Sequence, residues 1–187
     1  MMIIAKKSVS SMFINKILVA LDRSELSKQV FEQALALAKV TQANLMLLHV
    51  LSAEEEGSPY VPVYSGFDYY SGVRGQTLEV YQEQWNAFKR EGLEMLQSFR
   101  AQADIAGVTT QFTQNPGSPG RCICDVSHNW GADLIIMGRR GHSGLKELFL
   151  GSVSNYVLHH APCSVHIVHL PVVAKKTEAQ KTESIST

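Results

Sequence analysis

The residues best suited to chemistry form a glycine-rich turn. From Gly138 the chain reads GRRGHSGLKELFLGSVSNYVLHH, which places Gly138, Gly141, Gly151 and Ser152 in the spacing G-x2-G-x9-G-S. Glycine admits positive φ and lets backbone approach a ligand closely. A helix opening at Gly151 and Ser152 would offer unpaired N–H donors and the positive end of its dipole, which together suit an anion. Each dipole interaction is worth only about 0.3–1 kcal/mol when exposed, so several N–H groups and the Ser152 hydroxyl must converge to hold a polyphosphate. Arg139, Arg140 and Lys146 add local positive charge. No GxxxxGK[ST] loop, GxGxxG fingerprint, HxGH or SGGxDS motif occurs. On spacing alone, an ordinary strand-to-helix loop accounts for the GxxG turn as well.

A second candidate lies far upstream. Asp22 ends the run KILVALD, and a carboxylate there can accept hydrogen bonds from ribose hydroxyls, as acids do in dinucleotide folds. The alternative is that Asp22 caps the helix that follows, although Ser24 is also placed to be its N-cap.

Whether these two sites meet depends on the elements that carry them. Five short apolar runs, residues 16–21, 44–51, 108–113, 133–138 and 164–169, have strand length. The first, second and fourth are almost continuously apolar, as in parallel strands covered on both faces. Helical periodicity fills the gaps. Phe31, Leu35 and Ala38 mark residues 25–39, and Leu78, Tyr81, Trp85, Phe88, Met95 and Phe99 mark residues 76–103. Ile123, Val126 and Trp130 mark residues 119–130, closed by Gly131, and residues 151–160 form a fourth helix stopped by Pro162. The alternation predicts an α/β fold: an open five-stranded parallel sheet of order 3-2-1-4-5 with helices on both faces. The topological switch then lies between strands 1 and 4, and ligands bind at the carboxyl ends of the strands there. Asp22 and Gly138 both emerge at that point.

Composition narrows the function classes. The 187 residues carry 17 Lys plus Arg against 17 Asp plus Glu, which argues against bulk electrostatic capture of nucleic acid or acidic lipid. No apolar run approaches the roughly 18 residues of a membrane span, and the first twelve residues lack a secretory h-region, so a cytoplasmic protein is expected. Three cysteines, Cys122, Cys124 and Cys163, fit reduced thiols, and the C-x-C pair lacks the ligand set of a structural zinc site. Residues 1–12 read as a flexible tail, 13–170 as one domain and 171–187 as a disordered tail. Residues 53–75 form a long connection bearing Tyr60, Tyr64, Phe67, Tyr69 and Tyr70, read as a lid or interface loop or else a mobile insertion. His49 is expected to be a hydrogen-bonded core histidine, and His159 and His160 a pair at a helix C-terminus. His142 is the histidine nearest the expected phosphate turn, and Trp85 and Trp130 are expected on core faces.

The stretches ILVALDRSELS, LLHV and GADLIIMGRRGHSGLKELFLGSVSNYVLHHAPCSVHIV closely resemble the universal stress protein family, over about residues 13–170. The glycine spacing resembles that of the family's ATP-binding branch. The resemblance implies a Rossmann-like, adenine nucleotide alpha hydrolase-like fold. It also implies that Asp22 holds ribose, that Ala20, Leu21 and Met137 lie beside adenine, and that the Val50 backbone recognises the adenine edge. Gly138 would contact ribose or phosphate, and Arg140, Gly141, Gly151, Ser152 and Val153 would cradle the phosphates of ATP, or of AMP or ADP. Mg²⁺ would bridge phosphates. The family also implies a homodimer through the edge strand 164–169, with Val165, Ile167 and Val168 available for pairing. The expected role is that of a regulator in the stress response, its protein partner unspecified. Two alternatives are a slow ATPase or phosphotransferase using the same site, for which no general base or kinase signature is seen, and a nucleotide-free adaptor acting through 53–75.

Overall fold

The computed structural model describes residues 13–59, 71–139 and 150–169. The expected tails, residues 60–70 of the expected loop, and Arg140, Gly141, His142 and Lys146 lie outside the described residues. Strands β1 (Lys16–Leu21), β2 (Asn44–Leu51), β3 (Thr110–Pro116), β4 (Leu134–Gly138) and β5 (Ser164–Val168) form one parallel sheet, in the order β3-β2-β1-β4-β5. Helices α1 (Leu26–Thr41) and α2 (Ser71–Ile105) cover one face, and α3 (Pro119–Trp130) and α4 (Ser152–His160) the other. The fold class expected from the sequence is the one observed.

Two-sided burial explains the apolar runs. Ile17, Val19, Leu45, Leu47 and Ile136 pack under α1 and α2, while Leu18, Leu48, Val50, Ile135 and Met137 pack under α3 and α4. Each fully buried side chain of this size contributes about 1.5–3 kcal/mol. Phe31 of α1, fully buried, stacks on Phe99 of α2 with ring centroids 4.6 Å apart, locking the two helices over one face. At the opposite end of the sheet from the strands' carboxyl ends, Asp133 ties β1 to β4: its Oδ2 accepts the Asn15 and Lys16 N–H groups at 2.9 and 3.0 Å. Lys16 Nζ then donates to the Trp130 carbonyl at 2.9 Å and lies over the Trp130 ring.

Several details differ from the sequence expectation, among them β4, which begins at Leu134, and β5, which ends at Val168. β3 begins at Thr110, because Gly107 (φ 75°) turns α2 off in a left-handed cap and the Val108 N–H still closes onto the Ala103 carbonyl at 3.0 Å. α2 begins at Ser71, so residues 71–75 of the expected loop are helical. Ser24 does not cap α1: the N-cap position falls on Glu25, with no side-chain cap bond. Trp85 is half-buried rather than a core residue, stacked between Tyr81 and Phe88 at 6.5 and 5.6 Å, whereas Trp130 packs against the core under α3 and α4.

The Phe31–Phe99 stack generates a stability test. Phe31→Ala should lower unfolding free energy by about 3–5 kcal/mol in urea titration. Val40→Ala, on the exposed side of the same helix, should stay within about 0.5 kcal/mol.

Candidate functional site

β1 lies between β2 and β4, so the chain leaves β1 toward one side and β4 toward the other, opening a crevice at their carboxyl ends. Ala20 is paired with Met137 across the β1–β4 ladder, so the residues that follow each leave the sheet on neighbouring strands about 4.8 Å apart. The crevice has a volume of about 690 Å³, within the range of about 300–1,000 Å³ typical of small-molecule sites. It brings together Ala20, Leu21, Asp22, Val50, Met137, Gly138, Gly151, Ser152 and Val153.

The β1–α1 turn is organised around Asp22. Its Oδ1 accepts the Ser24 N–H at 3.0 Å, the Ser24 hydroxyl, and the Ser27 hydroxyl at 2.8 Å. The Asp22 N–H donates in return to Ser27 Oγ at 2.9 Å. The capping alternative for Asp22 is not what the structure shows, since the N-cap position of α1 is Glu25 without a side-chain bond; Asp22 instead closes the turn that precedes the helix. Among the described residues the carboxylate bonds of Asp22 all use Oδ1, and the side chain is exposed at the crevice, where Oδ2 can meet a ligand.

On the opposite wall, α4 starts at Ser152 after the extended Gly151, with no side-chain cap. The first backbone bond of that helix runs from the Asn155 N–H to the Gly151 carbonyl at 2.9 Å, so the amides of Ser152, Val153 and Ser154 precede the helical ladder. The glycine at 138 has a second cause besides ligand approach. A Cβ there would stand 2.7 Å from Leu26 Cδ2, so α1 packs directly over the end of β4.

Several lining residues were not anticipated: Arg23, Ser27, Ser52, Glu54, Glu55 and Glu56. Ser27 could have been found as the hydroxyl at i+5 from Asp22. The acids belong to the turn after β2, whose course no periodicity reveals. Glu55 is the informative member. Its carboxylate accepts the Arg23 backbone N–H at 3.0 Å and faces His49 Nε2 at 3.0 and 2.9 Å from its two oxygens. His49 is fully buried, as expected of a core histidine. Gln114 Nε2 donates both to the Lys89 carbonyl at 3.0 Å and to His49 Nδ1 at 2.9 Å. The carbonyl orients the amide, so Nδ1 accepts and the ring proton sits on Nε2, directed at Glu55. The Arg23 side chain meanwhile lies over the Phe88 ring and pairs with Glu91 at 2.8 Å, joining the turn to α2.

The three cysteines lie away from this crevice, in and beside the core under α3 and α4. Burial is the first cause pushing all three thiols above their ordinary value. Asp125 adds to this for Cys122 and Cys124, and Asp133 for Cys163, while a hydrogen bond with Asn115 partly offsets it at Cys122. Among the described residues no group of three His, Cys, Asp or Glu gathers to hold a metal ion.

Comparison with known proteins places these features in context. The model of the universal stress protein family matches residues 14–169. Universal stress protein Sll1388 of Synechocystis is 42% identical over 153 residues, covering 82% of this chain and 96% of that protein. Two solved universal stress proteins share the fold. One, from Archaeoglobus fulgidus in complex with dAMP, has a TM-score of 0.55 at 18% identity and covers 84% of this chain and 100% of that one. The other, from Arabidopsis thaliana with AMP bound, has a TM-score of 0.53 at 23% identity and covers 82% and 90%.

The close packing behind the crevice is testable at Gly92 of α2, where a Cβ would stand 2.4 Å from His49 Nδ1 and 2.5 Å from Gln114 Nε2. Gly92→Ala should cost about 1–3 kcal/mol of unfolding free energy by overpacking, read in urea. It should also displace the imidazole signal of His49 in an NMR spectrum.

Proposed function

This chain belongs to the universal stress protein family, and from that premise we propose that it is a cytoplasmic, dimeric regulator that binds ATP in the crevice between β1 and β4. The observation that carries the reading is the meeting of Asp22 and the uncapped start of α4 in one crevice of suitable size. Asp22 Oδ2 accepts from a ribose hydroxyl while Oδ1 holds the turn. Ala20, Leu21 and Met137 form the apolar wall for adenine, and the Val50 backbone meets its edge. Ser152 and Val153 offer amides ahead of the helical ladder, and Gly151 keeps that approach clear. Gly138, Arg140 and Gly141 complete the phosphate cradle in this reading, the last two from outside the described residues. AMP and dAMP in the two related structures support the adenosine half of the site. The triphosphate rests on the spacing of Gly138, Gly141, Gly151 and Ser152. Mg²⁺, which usually keeps few protein ligands, would supply neutralising charge to the phosphates at the Ser152 end of the crevice.

Dimerisation is supported by β5. Among the described residues it is the outermost strand and pairs with β4 alone, with Val165 and Ile167 only partly covered; Val168, expected to be available, is instead buried in the core. An uncovered strand edge favours pairing with a second copy across a two-fold axis. Among the described residues no helix is long and apolar enough to cross a membrane.

Titration calorimetry tests the ligand. Asp22→Ala should weaken ATP binding about 10- to 100-fold, the cost of losing a charged acceptor worth about 1.5–3 kcal/mol. Gly141→Val should block phosphate approach; unchanged affinity in both variants would remove the crevice from consideration. Sedimentation velocity should give a particle of about twice the 20.7 kDa chain mass, and a monomer at all concentrations would dispose of the β5 pairing.

A further inference from the structure

The ladder between β1 and β2 ends at the pair Leu21–His49. Beyond it the two strands part, one toward Asp22 and Arg23, the other toward Val50 and the turn that follows. The carboxylate of Glu55 spans the opening: it accepts the N–H of Arg23, the residue after Asp22, and the Nε2–H of His49, the residue before Val50. Glu55 is itself held in its turn. Its N–H donates to the Ser52 carbonyl at 3.2 Å, and its own carbonyl accepts the Ser58 N–H at 3.1 Å.

We propose that His49 and Glu55 are positioning residues for the adenosine end of the crevice, setting the distance between Asp22 and the Val50 backbone. The inference rests on the nucleotide-binding reading above. Neither residue owes its place to stability alone. His49 is fully buried and the Glu55 side chain is only 11% exposed, and a well-packed apolar pair often serves stability as well as a buried ionisable one. What an apolar pair cannot supply is direction. The carboxylate holds one backbone amide, that of Arg23, and one imidazole, that of His49, at hydrogen-bond length, and Gln114, held by the Lys89 carbonyl of α2, fixes the imidazole behind it. Gly92 admits this arrangement, since any side chain there would occupy the space of the ring. His49 does not line the crevice; it acts through Glu55 and through its neighbour Val50.

The test compares the full-length protein with Glu55→Gln. The amide retains one acceptor but sets an NH2 group against one of the two donors. Adenosine, AMP and ATP should each bind about tenfold more weakly, by a common factor, because a fault at the adenosine end is felt alike by all three. Ser152→Ala, at the phosphate end, should instead penalise ATP more than adenosine. In the unaltered protein, long-range ¹H–¹⁵N NMR should show His49 with its proton on Nε2, and saturation with ATP should move that signal, which a purely structural histidine would not show. Affinities within twofold in Glu55→Gln, a factor that differs between adenosine and ATP, or a His49 signal indifferent to ATP would each overturn the inference. If Glu55→Gln fails to fold, the NMR titration of the unaltered protein decides alone. Failure of the unaltered protein to bind any of the three ligands would instead defeat the nucleotide reading, and this inference with it.

Discussion

Strand β1 has a neighbour on each side, and its two neighbours are reached by connections that run in opposite directions. That arrangement is the constraint on which the molecule depends. Parallel strands joined by right-handed crossovers cannot fill the gap where the winding reverses, so a crevice must open there. The register is held from the far end by Asp133, which binds the amides at the start of β1 and leaves the opposite ends of β1 and β4 side by side. Residues distant in sequence therefore share one opening.

The two halves of that opening are built from different materials. The half under Asp22 and Val50 is braced by hydrogen-bonded side chains that reach through Glu55, the buried His49 and Gln114 to α2. The half at α4 offers backbone, a glycine and a hydroxyl ahead of a helix. A braced wall suits recognition of a rigid ring and a sugar, which demand fixed distances. Amides at a helix start suit a flexible chain of phosphates, which demands charge and room. The chemistry of each wall matches a different part of the nucleotide proposed to lie between them.

The sequence revealed most where burial dictates pattern. The bounds of β1 and β2 agree with their continuous apolar runs, since strands covered on both faces leave no polar position to blur the signal. Among the described residues β3 is an edge strand with polar residues along much of its length, and Val108, whose N–H closes back onto the last turn of α2, drew its expected start two residues early. The first turns of α2 hold SGVRGQT, with two glycines and no apolar stripe, so their helical state was not apparent. Asp22 and the α4 start were apparent because each ends or begins an element at a predictable edge. Glu55 was not: its partners come from the β1–α1 turn and from the interior of β2, and only the folded path of the turn after β2 brings them together.

The packing at Gly138 carries a lesson for reading related sequences. Because Leu26 occupies the space where a side chain would go, this glycine answers to the helix above it whether or not a ligand ever arrives. Any side chain at this position would require the Leu26 side chain to move. Gly138 is therefore a poorer diagnostic of binding when taken singly than the glycine and hydroxyl pair at 151 and 152, which opens α4 on the facing wall.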